Sequence, residues 1–131
     1  MKIVAMIARY LLGLSFVVFG LNAFLQFMPP PELSEKGGLF MGLMFESGYF
    51  QFVAIIKILG GLLLLLGRFV PLGLTLLGPI LVNILLFHGF LDPAGMGMAI
   101  FIIVMQLFLA WTYRDSFSGV LQANAKPAGQ S

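Results

Sequence analysis

The sequence contains no cysteine, one histidine and few charged residues, and each shortage excludes a kind of chemistry. Without cysteine the chain forms no disulfide, no thiolate metal site and no thiol redox centre of its own. A single histidine excludes a multi-histidine haem or zinc site supplied by one protomer. Only 9% of the 131 residues are charged, whereas soluble domains carry about 25%. The chain therefore cannot cover itself with a polar surface.

Apolar residues are abundant: 60% of the chain is hydrophobic, and the mean hydropathy is +1.07. A helix of about twenty apolar residues, rising ~1.5 Å per residue, crosses a hydrocarbon core ~30 Å thick. Four runs approach that length: Tyr10–Met28, Tyr49–Leu66, Pro71–Leu91 and Ala94–Tyr113. The first is too long for a signal peptide and lacks a small-residue cleavage site. We predict an all-α, multi-pass membrane protein, a bundle of four transmembrane helices in the lipid bilayer.

The connections between the runs are short. Only residues 67–70 separate the second run from the third, which requires an antiparallel hairpin. We expect this pair to be the most tightly packed, because Gly60 and Gly61 permit close helix approach. We assign residues 1–115 to the membrane domain and residues 116–131 to a polar tail, which we expect to be disordered.

Between the first and second runs the sequence predicts a short interfacial helix. Pro29–Pro31 ends the first helix, because proline lacks the N–H that helix propagation needs. Gly38–Phe45 is apolar but far too short to span a bilayer. Ser34 precedes it and is a suitable N-cap residue. We expect this helix at the outer surface, partly covering the mouth of the bundle.

The basic residues predict an orientation. With four spans, one side of the membrane carries Lys2, Arg9, Arg68, Arg114 and Lys126. The opposite side carries only Lys36 among the basic residues. The positive-inside rule therefore places both termini in the cytoplasm, in the cell (inner) membrane. Basic residues scattered in this way form no patch for nucleic acid, so we expect no nucleic-acid partner.

A few polar residues interrupt the spans. Along ideal helices, Asn22 and Asn83 each lie ~18 Å from the cytoplasmic ends of their spans, and Lys57 lies ~12 Å from the outer end of its own. His88 lies nearer the outer surface. A charge and two amides at one depth are unfavourable in lipid. We expect Lys57, Asn83 and His88, with Asn22 as a fourth candidate, to line an interior pocket that opens to the outer leaflet.

A structural interpretation of the same residues stays open. Asn22, Asn83 and Gln106 can be hydrogen-bond bridges between helices rather than ligand contacts. His88 can bond to Asp92 or to a main-chain carbonyl at the head-group level. Lys57 can be a locally solvated charge. We expect no metal site in this chain.

Several short motifs, in order, resemble those of the DoxX-like membrane proteins. They are Ser47–Phe50, Gly61–Leu64, Arg68–Leu72, Pro79–Ile80, Val82–Ile84 and Phe87–His88. The resemblance extends over roughly residues 9–113. It implies a compact four-helix membrane bundle and a link to redox chemistry, because the founding member is a subunit of a thiosulfate:quinone oxidoreductase. This chain has Lys57 where that family is expected to have an acidic residue, so an acidic role is not transferred.

Two classes of function follow from these observations. In the first, the chain is the membrane subunit of a redox assembly, with a non-covalently bound quinone and an oxidoreductase partner subunit. In the second, it is a structural or small-solute membrane module without catalytic chemistry, whose polar residues hold the helices together. The sequence leaves open whether the chain is an enzyme and whether it forms a homo-oligomer.

Overall fold

The computed structural model describes residues 2–26 and 33–129, which contain helices and turns but no strand. The five α-helices are, in chain order, α1 (Lys2–Leu25), α2 (Glu35–Ser47), α3 (Tyr49–Leu66), α4 (Val70–Phe90) and α5 (Met96–Thr112). A 3₁₀ turn, Pro93–Gly95, leads into α5. Four helical segments are long and apolar enough to span a membrane: α1, α3, α4 and Pro93–Thr112. The predicted all-α, four-span bundle is confirmed, and the chain is a membrane protein.

The first span begins earlier than predicted. We placed its start at Tyr10 because Lys2 and Arg9 are charged, but α1 already begins at Lys2. Long basic side chains can lie along a helix while their charged groups stay at the membrane surface. The Arg9 guanidinium lies over the Tyr10 ring of the same helix, with its carbon 5.0 Å from the ring centroid. The predicted helix-ending prolines, Pro29–Pro31, lie outside the described residues.

The predicted short helix is confirmed as α2, which is somewhat longer than Gly38–Phe45. Ser34 is its N-cap: the hydroxyl oxygen accepts a hydrogen bond from the Gly37 N–H at 3.1 Å. Gly48 ends the helix in the left-handed conformation, with φ of 84°. Because glycine has no Cβ it adopts this conformation without strain. One residue is therefore enough to turn the chain from α2 into α3.

Glycine also sets how closely the spans pack. A Cβ built on Gly61 of α3 would lie 2.7 Å from the Gly13 carbonyl oxygen of α1, so two backbones meet there. On the other face of α3, a Cβ built on Gly60 would lie 2.8 Å from the Leu77 side chain of α4. We expected α3 and α4 to be the tightest pair, but the closest main-chain approach joins α1 to α3. At the α3–α4 interface the glycines pack less closely: a Cβ built on Gly73 of α4 would lie 3.1 Å from the Gly60 carbonyl oxygen.

The core between the spans is apolar. Its largest fully buried side chains are Leu12, Leu64, Leu74, Leu77 and Leu109. In the described part of the chain Asp92 is the one buried charged residue, with 5% of its surface exposed. Pro79 lies within α4, which runs without interruption from Val70 to Phe90.

The two ends of the bundle differ in charge. The start of α1, the α3–α4 turn and the end of α5 meet at one end, which we call the basic end. It carries Lys2, Arg9, Arg68 and Arg114. The opposite end, which we call the α2 end, carries α2 and the connection from α4 to α5, with Asp92. The fold thus places these four basic residues at one end, as the sequence predicted.

Beyond α5 the chain forms a second 3₁₀ turn, Arg114–Phe117, and then exposed turns as far as residue 129. Phe117 lies inside the predicted tail, yet it packs against the hydrophobic core. The predicted boundary at residue 115 and the disorder of the tail stay predictions.

Candidate functional site

Lys57 lies midway along α3 and is half-buried. Its amine is 5.2 Å from the centroid of the Phe50 ring. Phe50 precedes Lys57 by about two helical turns, on the side of the α2 end. Helical side chains lean toward the N-terminus of their helix, which for α3 is the same direction. The charge is therefore displaced from the middle of the span toward the α2 end, and no carboxylate pairs with it within the described residues.

Asn83 is exposed on the surface of α4. Its Nδ2 donates a hydrogen bond to the Pro79 carbonyl oxygen of the same helix, at 2.9 Å. The Oδ1 atom and the second Nδ2 hydrogen have no partner within the part of the chain described. An amide that faces hydrocarbon with unused hydrogen-bonding capacity is costly. Asn83 is therefore a candidate contact for a molecule dissolved in the membrane.

A groove lies in front of this amide, between α2 and α4 near the α2 end. Its volume is about 260 Å³, and we call it the α2–α4 groove. Its lining residues are Phe40, Asn83, Leu86, Phe87, Phe90 and Leu91. The Phe40 ring of α2 lies next to the Phe87 ring of α4, with centroids 5.5 Å apart and planes tilted by 42°. The groove is apolar apart from the one amide.

His88 is half-buried in the last turn of α4, beside the connection to α5. Its Nδ1 lies 3.0 Å from the main-chain carbonyl oxygen of Asp92. A carbonyl oxygen only accepts, so Nδ1 carries the proton and donates, and Nε2 is the acceptor of the neutral ring. The ring packs against Gly95 and meets the Phe87 ring edge-on, with centroids 5.2 Å apart. These contacts fix His88 as part of the turn.

His88 bonds to the main-chain carbonyl of Asp92, one of the partners that the sequence allowed, whereas the Asp92 carboxylate bonds to the start of α2. Its Oδ1 accepts a hydrogen bond from the Ser34 N–H at 3.3 Å. The Ser34 hydroxyl donates to the Leu91 carbonyl oxygen. The start of α2 is therefore fastened to the end of α4, and this sets one side of the α2–α4 groove. Nothing in the linear sequence indicates that Ser34 contacts Asp92, which lies 58 residues further along the chain.

Gln106 joins two spans, as the structural interpretation proposed for it. Its Nε2 donates to the Leu74 carbonyl oxygen of α4 at 2.8 Å. Its Oε1 is buried and has no hydrogen-bond partner in the described part of the chain. Asn22 is half-buried on α1.

Within the described residues, no hydrogen bond or ring contact joins the side chains of Lys57, Asn83 and His88 to one another. Lys57 contacts an aromatic ring of its own helix, Asn83 faces the α2–α4 groove, and His88 faces the turn before α5. Of the predicted site residues, Asn83 alone lines this groove. Within residues 2–26 and 33–129, no three His, Asp, Glu or Cys side chains gather where they could hold a metal ion.

Sequence reasoning missed the aromatic side of the groove and a second groove at the basic end. The pairing of Phe40 with Phe87 depends on how α2 folds back onto α4, which the linear sequence does not show. The second groove lies between α1 and α5 and is lined in part by Arg9 and Arg114. The one-sided distribution of basic residues was its only signal in the sequence.

Comparison with known proteins gives one informative similarity. The chain is 30% identical over 122 residues to the uncharacterized protein YwoB of Bacillus subtilis (strain 168), which covers 87% of this chain and 79% of YwoB. The unaligned part is shorter than any of the four spans, so the similarity includes residues of every span. No family model matches the chain. No solved structure matches it either.

Proposed function

This chain belongs to the family of the Bacillus subtilis protein YwoB, and we propose that it is the membrane subunit of a quinone-linked redox assembly. Its part is to bind the quinone without covalent attachment and to present it to an oxidoreductase partner subunit. The observation that carries this proposal is the α2–α4 groove, where the unsatisfied amide of Asn83 lies among aromatic side chains. The resemblance to DoxX-like proteins points to the same class of function.

The groove has the chemistry that a quinone head group needs. A quinone presents carbonyl oxygens that accept hydrogen bonds, and its reduced form presents hydroxyls that also donate. Within the described residues, one N–H and the Oδ1 of the Asn83 amide have no partner, so the amide can serve both forms. The rings of Phe40 and Phe87 offer aromatic faces and edges to the planar head group. A bound quinone would carry the electrons and protons, and this chain would bind and orient it.

The volume of the α2–α4 groove and its sideways opening both agree with the binding of a quinone. Sites that enclose drug-sized ligands have volumes of about 300–1,000 Å³. The α2–α4 groove, at about 260 Å³, is suited to a head group alone. Its wall residue Phe90 is 76% exposed, so the groove opens sideways. An isoprenoid tail can therefore remain among the lipid chains while the ring lies against Asn83.

Quantifying the quinone that co-purifies with the protein in a mild detergent tests this proposal. We expect quinone above the level carried by an unrelated four-span protein purified in parallel. Asn83→Leu should lower the bound quinone about tenfold, since one hydrogen bond and its desolvation contribute ~1–1.5 kcal/mol. Thr75→Val is the matched control, because Thr75 is exposed on the same helix and bonds only to the Pro71 carbonyl oxygen. Equal quinone in both variants, or none in the wild type, would reject the proposal.

A structural membrane module without catalytic chemistry is the second candidate. It is favoured by the apolar core and by polar side chains that bond within the fold, such as His88 and Gln106. The same purification separates the two candidates. A redox partner chain that co-purifies supports the first, and a homo-oligomer free of quinone and of partner chains supports the second.

We propose the cell (inner) membrane as the location, with both termini in the cytoplasm, because the basic end carries both ends of the helical bundle. The absence of native cysteine makes labelling direct. A thiol introduced by Glu46→Cys should react with a membrane-impermeant maleimide in intact cells. A thiol introduced by Ser118→Cys should react only after permeabilisation. Labelling of both from outside would show that the topology is wrong.

A further inference from the structure

A second groove lies at the basic end, between the start of α1 and the end of α5. Its volume is about 450 Å³, and we call it the basic groove. Three of its lining side chains are cationic, namely Lys2, Arg9 and Arg114, and none is acidic. Trp111 and Tyr113 also line it. Three positive charges thus surround one opening without a negative group in its wall.

Arg9 is held inside this region rather than extended into solvent. Its guanidinium packs against Gly67 in the α3–α4 turn, where a Cβ would lie 2.6 Å from one of its terminal nitrogens. The Nε atom is buried and has no hydrogen-bond partner in the described part of the chain. A guanidinium has five N–H groups and cannot give up its charge. Burial without an acceptor is therefore unfavourable unless a ligand supplies one.

Arg114 is positioned at the other wall of the groove. Its Nη1 donates to the Trp111 carbonyl oxygen at 2.9 Å, and its guanidinium carbon lies 4.4 Å from the centroid of the Trp111 ring. These contacts hold the group in place while the remaining N–H groups stay available. No carboxylate of the described residues forms an ion pair with Lys2, Arg9 or Arg114.

We propose that the basic groove binds the phosphate of an anionic phospholipid. Planar guanidinium groups match the oxygens of a phosphate, and Arg9 and Arg114 supply two of them. Tryptophan and tyrosine side chains lie at the head-group level of a bilayer, which places this groove beside the lipid phosphates. Ala5 and Met6 form an apolar part of the wall along which an acyl chain can pack. Basic pockets between spans are known to hold anionic lipid head groups in this way.

A lipid titration of the purified, delipidated full-length protein tests the proposal. Native mass spectrometry in detergent would measure the binding of phosphatidylglycerol and of phosphatidylcholine with identical acyl chains. We expect the wild type to prefer phosphatidylglycerol. The preference should fall about fivefold for Arg114→Gln and about 25-fold for Arg9→Gln combined with Arg114→Gln, since each cation near the surface contributes about fivefold. Arg68→Gln is the matched control, because Arg68 is exposed at the same end and does not line the groove.

Several outcomes would overturn the proposal. Equal binding of the two lipids by the wild type would do so, as would a preference that survives in the double variant. If the double variant does not fold, Arg114→Gln decides, because this exposed side chain donates only to the Trp111 carbonyl oxygen at the end of α5 within the described residues. Inorganic phosphate and glycerol 3-phosphate are included as competitors. If either displaces phosphatidylglycerol at millimolar concentration, the site takes a soluble anion and the assignment to lipid is wrong.

Discussion

The Asp92 carboxylate at the end of α4 accepts a hydrogen bond from the main-chain N–H of Ser34, over 3.3 Å, and so fastens the start of α2 to the outgoing end of a span. The carboxylate lies beside the first turn of α2, where the helix macrodipole favours a negative charge. The Ser34 hydroxyl adds a second link by donating to the Leu91 carbonyl oxygen. Together these bonds hold α2 against the α2–α4 groove.

Removing this carboxylate should release α2. We expect Asp92→Ala to lower the free energy of unfolding by about 1–3 kcal/mol, because it removes the hydrogen bond from the Ser34 N–H to a buried carboxylate. The variant should show a lower melting temperature in detergent and faster amide hydrogen exchange across Glu35–Ser47. Asp115→Ala, at an exposed position beyond α5, is the control and should change neither. Unchanged exchange in α2 would show that aromatic packing alone holds it.

A methyl group at Gly61 should force α1 away from α3. Its Cβ would meet the Gly13 carbonyl oxygen at 2.7 Å and a methyl carbon of Val17 at 2.9 Å, and the first of these is main chain that cannot rotate aside. Overpacking of this kind costs about 1–3 kcal/mol. We expect Gly61→Ala to lower the melting temperature in detergent by several degrees. Gly97→Ala, on α5 with open space around it, should leave it unchanged or raise it slightly. An equal effect of the two substitutions would contradict close packing of α1 on α3.

Much of this fold was predictable because the bilayer fixes the length of an apolar run. The runs at Tyr49–Leu66 and Pro71–Leu91 became α3 and α4 almost unchanged. The start of α1 was misplaced because Lys2 and Arg9 look like the end of a span, whereas Lys2 begins α1 and the Arg9 guanidinium packs against the α3–α4 turn. The closeness of α1 to α3 was also missed. Glycines on one helix show that a partner can approach, but not which partner does.

Gln106 should contribute little to stability despite its bond across two spans. Interhelical hydrogen bonds in membranes average ~0.6 kcal/mol, whereas a buried, unsatisfied oxygen such as its Oε1 costs about 1–3 kcal/mol. We therefore expect Gln106→Met to keep or raise the melting temperature in detergent. Gln106→Glu should lower it, since a negative oxygen would lie near the Leu74 carbonyl. A clear loss of stability in Gln106→Met would indicate that an ordered water satisfies Oε1.

The candidate site was harder to predict than the fold, because sequence position gives the depth of a residue but not the direction in which it points. Asn83 and His88 are five residues apart on one helix and so point ~140° away from each other. Asn83 lines the α2–α4 groove, and His88 contacts the turn before α5. Lys57 lies at a similar depth on a different helix, and its amine contacts the Phe50 ring. A shared depth therefore does not by itself bring these three side chains together, and the shared pocket stays a prediction.

Replacing Lys57 should stabilise the bundle. The cost of a lysine charge in a span reaches about 2.5–3.5 kcal/mol at the centre, whereas a cation–π contact returns about 0.5–2 kcal/mol. The contact with Phe50 thus offsets part of the cost, and Lys57→Met should raise the melting temperature in detergent. Lys36→Met, an exposed change on α2, should leave it unaltered.

A double-mutant cycle separates this contact from simple packing. Phe50→Leu should destabilise the wild type, because it removes the ring above the Lys57 amine as well as apolar surface. In the Lys57→Met background the same substitution should cost less, by a coupling of about 0.5–2 kcal/mol. If the coupling is absent, the ring does not stabilise the charge. If Lys57→Met instead lowers stability and also reduces the co-purified quinone, the Lys57 amine takes part in ligand binding. The amine must then lie somewhere other than over the Phe50 ring.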